Sequence, residues 1–153
     1  MVILNIVNGK NYFLKIMKAT LIPINHIEDI WPQIKDYLKG AADYTFGRYT
    51  VEDIYKGLFV KPQELWIAFE NEVIYGVVVT EIVEYPQMKA LVMHFTGGKE
   101  LPKWKDEMLA LLQKYARDKQ CSIIESYGRR GWGNVFKNDG YKERFTFYEL
   151  PVE

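Results

Sequence analysis

Residues 89–127 hold the pattern that most restricts the fold. Lys89–Phe95 is a largely apolar run of strand length. A helix opens near Pro102 and runs to about Lys119, with Trp104, Met108, Leu111, Leu112 and Tyr115 on one face. Cys121–Tyr127 is a second strand-length run. Two strands joined through one long amphipathic helix form a crossover unit, so they are predicted to be parallel neighbours in one sheet. Beyond them lies a glycine-punctuated basic turn, Gly128-Arg129-Arg130-Gly131-Trp132. A short helix over Trp132–Asn138 follows, stopped by Asp139-Gly140, and Tyr141–Leu150 is predicted as a closing strand.

Upstream, the chain alternates in the same manner. Ala19–Ile24 reads as a strand and Asn25 as the N-cap of a helix over Ile27–Leu38, whose Ile27, Ile30, Trp31, Ile34 and Leu38 recur at helical spacing. Thr50-Val51-Glu52-Asp53 reads as a capping box that opens a helix to about Leu58. A meander follows: Leu65–Glu70, a turn at Asn71-Glu72, Val73–Val83, a turn at Tyr85-Pro86-Gln87, then Lys89–Phe95. The run Val77-Val78-Val79 suits a strand covered on both faces. Thr96-Gly97-Gly98-Lys99 is expected to break the third of these strands. Residues 1–16 read as an N-terminal extension, and 17–153 as a single domain. No repeat, low-complexity tract or linker divides it.

Twenty basic and twenty acidic residues balance, which leaves no general electrostatic case for nucleic acid or an anionic membrane. The single cysteine, Cys121, excludes an internal disulfide and suits a reducing cytoplasm. Two histidines far apart in sequence make no zinc-ligand pattern, so no metal is expected.

Taken together, the order of elements resembles the GNAT acyltransferase superfamily over roughly Lys18–Leu150. The best local matches are Leu65-Trp66-Ile67-Ala68-Phe69-Glu70-Asn71-Glu72-Val73-Ile74-Tyr75-Gly76-Val77-Val78 and Tyr115-Ala116-Arg117-Asp118-Lys119-Gln120-Cys121. Asp139-Gly140-Tyr141 stands where that family often has Leu-Gly-Phe. Gly128-Arg129-Arg130-Gly131-Trp132 is similar to small GNAT-like proteins of tailed bacteriophages. The resemblance implies a mixed α/β (α+β) fold, with a twisted central sheet of about six or seven strands and helices on both faces. It also implies that Lys89–Phe95 and Cys121–Tyr127 splay apart at one end. The pantetheine arm of acetyl-CoA, or another acyl-CoA, would lie in that gap, with an amine as acceptor.

Carried onto this chain, the resemblance places the cofactor along Phe95, Thr96, Gly97, Gly98, Lys99, Lys103 and Lys105, with Arg129 and Arg130 available to its phosphates. The plain alternative is a glycine turn with solvated lysines, and for the arginines a stack on Trp132. His94, Glu125 and Tyr127 are the candidate catalytic groups: His94 as base or relay, Glu125 as base or amine ligand, Tyr127 as proton donor. An ordinary strand histidine and a Glu125–arginine ion pair are the alternatives; Glu81 and Glu84 read as solvent-facing. The proton-donor tyrosine of the family falls on Phe136, which has no proton to give. Trp31 and Tyr49 border the expected acceptor side. Two functions follow from the resemblance. One is acetyl transfer to a primary amine of a small molecule or peptide. The other is a non-catalytic phage module that binds a protein partner or the virion, in the host cytoplasm. A homodimer is compatible with either.

Overall fold

The computed structural model describes residues 16–128 and 131–152. The expected extension as far as residue 15, and the pair Arg129-Arg130, lie outside the described residues. Strand β1 (Lys18–Ile22) leads through a 3-10 turn (Ile24–His26) to helices α1 (Ile27–Asp43) and α2 (Val51–Val60). The meander β2 (Gln63–Glu70), β3 (Val73–Glu84) and β4 (Lys89–Gly98) follows. The chain then forms α3 (Leu101–Asp118), β5 (Ile123–Ser126) and the short α4 (Gly131–Phe136). The five strands form one sheet in the order β1-β2-β3-β4-β5. Successive pairs are antiparallel except β4 and β5, which run parallel. The crossover predicted from residues 89–127 is therefore present.

Helices cover both faces because the strands are apolar on both. Ile30, Ile34 and Leu38 of α1 and Ile54 and Leu58 of α2 pack on Leu65, Ile67, Phe69, Val77 and Val79. Trp104, Met108 and Leu112 of α3 pack on Trp66, Ala68, Val78, Leu91 and Met93 from the other side. Val77, Val78 and Val79 are fully buried, their side chains alternating between the two layers. Close packing also explains Gly76: a Cβ there would collide with the Trp104 indole, whose Nε1–H donates to the Lys99 carbonyl at 3.0 Å.

The start of α2 is the capping box read from the sequence. Thr50 Oγ1 accepts from the Asp53 amide at 3.2 Å, and the Asp53 carboxylate accepts from the Thr50 amide at 2.8 Å. The bond to the Thr50 amide holds the Asp53 carboxyl below its ordinary pKa. Asn25 is not the cap of α1. It lies inside the 3-10 turn, and His26 takes the N-cap position without a side-chain bond.

Two further expectations are corrected. Thr96-Gly97-Gly98 does not break β4. These residues continue the strand, paired with Val78, Val77 and Gly76. The glycines are there because a Cβ on Gly97 would strike the Tyr37 carbonyl of α1, and one on Gly98 the Tyr75 carbonyl of β3. Residues 141–150 form no strand, and among the described residues the sheet has five strands rather than six or seven. A strand exists only against a partner, and residues 141–150 are paired with none of the described strands. Among the described residues no helix is long and apolar enough to cross a membrane.

Candidate active site

The site begins with one extra residue in β4. Thr80 of β3 pairs with Met93, but the preceding Val79 pairs with Phe95, so His94 is a bulge. Regular alternation would put Phe95 beside Met93 on the α3 side. The extra residue sends Phe95 into the core under α1 and α2 instead. His94, next after Met93, lies on that same face, where its Nε2 is 2.8 Å from Glu81 Oε2. Both side chains are about a quarter exposed, at 26% and 25%. Glu81 is thus a partner of the bulged histidine rather than a solvent-facing acid. Finding this from sequence would have required the register of β3 on β4.

The same bulge marks the end of the β4–β5 pairing. Their register runs from Ala90↔Ile123 to Met93↔Ser126 and stops. Beyond it, among the described residues, no strand pairs with that edge of β4 from His94 to Gly98. Val92 pairs with Glu81 on one side and Glu125 on the other. The two carboxylates therefore share a face across three strands, with backbones about 10 Å apart. Glu125 Oε2 accepts from the Tyr85 hydroxyl at 2.8 Å. That bond, chiefly, pushes the Tyr85 pKa up to about 12, with a smaller contribution from nearby Tyr127. Tyr85 therefore keeps its proton at neutral pH and remains a donor to Glu125.

The structure thus gathers His94 with Glu81, and Glu125 with Tyr85 and Tyr127, on one face beside the end of the β4–β5 ladder. Tyr127 follows β5 and is largely exposed. Tyr49 meets Phe95 edge-on at 5.1 Å, which places it next to this face. Trp31 is turned toward Tyr55, 4.6 Å away, between α1 and α2. Phe136, at the position of the absent proton donor, is buried between Trp132 and Tyr141, with ring centroids 5.2 and 4.4 Å away. The Tyr141 hydroxyl points to the Met93 sulfur at 3.3 Å, and burial raises its pKa to about 12.

The start of α3 differs from a bare anion cradle. Glu100 occupies its N-cap in a left-handed conformation and pairs with Lys103 at 3.0 Å. The bond to Glu100 holds the Lys103 ammonium above its usual pKa. Lys105 is tied to Asp139 at 2.8 Å. Lys99 lies 5.1 Å over the Tyr75 ring. Behind them, Met93, Thr96, Leu101, Trp104, Trp132 and Phe136 line a cavity of about 10 Å³, room for about one water.

No protein-family model matches this chain, and no curated protein does. Solved structures do. An aminoglycoside acetyltransferase from an uncultured soil metagenomic sample, solved with trehalose, matches with a TM-score of 0.67 at 12% identity, over 92% of this chain and 99% of that one. A ribosomal-protein-alanine N-acetyltransferase from Brucella melitensis gives 0.63 at 12% identity, over 90% and 99%. A GNAT family acetyltransferase from Staphylococcus aureus gives 0.63 at 10% identity, over 89% and 98%. Identities this low speak to architecture alone, and the architecture is that of the GNAT-family acetyltransferases.

Proposed function

We propose that this chain is an N-acyltransferase that moves an acetyl group from acetyl-CoA, or another acyl group from its CoA ester, to a primary amine of a small molecule or peptide in the cytoplasm. The observation that carries this reading is the junction at Met93. There β5 ends, the backbone edge of β4 continues from His94 to Gly98, and a histidine–carboxylate pair stands beside it. The open edge suits an amide-bearing arm, whose N–H and C=O groups can pair with a strand. The nucleotide end fits less well, since Lys103 and Lys105 already hold carboxylates.

When bound, acetyl-CoA supplies a thioester carbon for attack and a thiolate as leaving group. His94 takes the proton that the attacking amine must lose. With Nε2–H donated to Glu81, its lone pair lies on Nδ1, and Glu81 stabilises the cation that forms. Glu81 and Glu125 flank Val92 and favour a cationic acceptor. Tyr127, at the end of β5, returns a proton to the departing sulfur in place of a tyrosine at 136.

The narrow cavity behind β4 and the paired lysines favour a second reading, a binding module without catalysis. Calorimetric titration with CoA separates the two. Thiol release from acetyl-CoA should be followed with polyamines, amino acids and peptides as acceptors. His94→Asn and Glu81→Gln are expected to lower turnover by about 10²–10⁴-fold and less, respectively. Wild-type turnover in His94→Asn removes the proposed base. Absence of CoA binding at millimolar concentration favours the binding module.

A further inference from the structure

The edge of β4 beyond Met93 is flanked by two helices that meet beside it. The space next to Thr96 is bounded by Leu101, Trp104 and Lys105 of α3 and by Trp132 and Phe136 of α4. Its volume is about 10 Å³. Sites that enclose an organic ligand usually measure about 300–1,000 Å³. An amide-bearing arm laid along this edge therefore needs α4 to stand farther from α3. Helix α4 has six residues, and a helix so short is not stable by itself. Its place is set by what it touches. Trp132 seats against Gly128, where a Cβ would collide with the indole, and stacks on Phe136.

Lys105 supplies the polar link between the two helices. Its Nζ donates to the Val135 carbonyl at 3.3 Å and lies 2.8 Å from Asp139 Oδ2. Asp139 rides on the end of α4, its amide donating to the Phe136 carbonyl at 2.9 Å. Gly140 follows in the left-handed region, at φ +84°, and takes the chain off the helix. With side chains 20% and 18% exposed, Lys105 and Asp139 form the most buried ion pair among the described residues. The pair is close but poorly aligned. Asp139 Oδ2 is buried and accepts no hydrogen bond among the described residues. Such a carboxylate is held by charge alone and keeps an unmet demand for donors, which water would satisfy. Lys105 has an alternative as well. It stands one turn into α3, where an acyl-CoA would set its phosphates, and a diphosphate carries more charge than a single carboxylate.

We propose that α4 is a lid beside the β4 edge, latched by Asp139 on Lys105, and that the phosphates of a CoA ester open it by drawing Lys105 away from Asp139. The proposal rests on the acyl-CoA reading above. Lys105 exchanges one anion for another, Asp139 turns to water, and α4 moves off α3 to admit the arm. No covalent bond is made or broken. The latch lowers the apparent affinity for the cofactor by the fraction of molecules that are open.

Asp139→Asn on the full chain tests the latch, since asparagine keeps the size and a carbonyl acceptor but loses the charge. Hydrogen exchange reads the lid without any ligand. The peptide spanning 132–139 is expected to exchange about tenfold faster in Asp139→Asn than in wild type, with β2 and β3 unchanged. Calorimetric titration with CoA reads the coupling. Asp139→Asn is expected to bind about tenfold more tightly than wild type. Adding Lys105→Met is expected to cancel that gain, because the freed ammonium is what the phosphates meet. Unchanged exchange in Asp139→Asn removes the latch, and equal CoA affinity removes its coupling to the cofactor. Either result overturns the proposal while CoA binding itself keeps the acyl-CoA reading. A gain that survives Lys105→Met overturns the exchange of anions. CoA binding to neither wild type nor Asp139→Asn at millimolar concentration overturns the acyl-CoA reading, and the opening of the lid with it.

Discussion

Thr80 is the one fully buried polar residue among the described positions, and its hydroxyl joins two layers of the structure. It accepts from the Trp66 indole at 2.8 Å and donates to Glu64 Oε2 at 2.9 Å, while the Tyr115 hydroxyl of α3 donates to Glu64 Oε1 at 3.1 Å. Thr80→Val keeps the shape and the β-branched preference for a strand, and removes only the bridge. The Trp66 side chain is 2% exposed, so its N–H would be left without water or partner. An orphaned buried donor costs about 1–3 kcal/mol, and the lost bond to a carboxylate adds about 1. The sum is about 2–4 kcal/mol. Urea unfolding followed by tryptophan fluorescence should show this as a lower midpoint at unchanged slope. A cycle with Trp66→Phe tests the cause, because phenylalanine has no N–H to orphan. The two substitutions should couple by at least about 1 kcal/mol. A Thr80→Val loss below about 1 kcal/mol, or strict additivity with Trp66→Phe, would refute the assignment of the bridge as a stabilising link.

The same network makes stability depend on pH. Burial, the largest influence, raises the Glu64 pKa despite bonds from Thr80 and Tyr115 that lower it. The folded state therefore holds the proton more tightly than the unfolded chain. Its advantage is complete below about pH 4.3, the ordinary glutamate value, and is lost as pH rises through the folded value. The stability difference between wild type and Glu64→Gln should shift in favour of the variant across that interval, measured by urea midpoints at several pH values; a flat difference contradicts it. Gly76→Ala should destabilise by about 1–3 kcal/mol through overpacking against Trp104, and Trp104→Phe should restore part of that loss in thermal melts.

Much of the fold was legible because its signals are local. Thr50 and Asp53 are three residues apart and make the box wherever that helix begins. The crossover followed from element order alone. The site was harder, because it depends on register between strands. Nothing in Met93-His94-Phe95 announces a bulge, so Glu81 could not be recognised as the partner of His94. Gly97-Gly98 carries a strong turn signal, yet the residues extend β4, since the carbonyls of Tyr37 and Tyr75 approach too closely for any Cβ. Tyr141–Leu150 has strand character in its composition, but it is paired with none of the described strands, so that local signal did not become a strand.

The residue at 94 also makes β4 sensitive to parity. Substituting His94 changes one side chain. Pairing it regularly, opposite Val79, would let alternation run unbroken from Met93, turning Phe95 from the layer under α1 toward α3 and inverting every position as far as Gly98. The bare flank at 97 would then no longer meet the Tyr37 carbonyl. Deleting His94 would have no such effect, because Phe95 would follow Met93 directly and stay opposite Val79, on its present face. Any alignment of this strand that ignores the extra residue will assign its second half to the wrong face. At this position how the residue is paired matters to the architecture before its identity does.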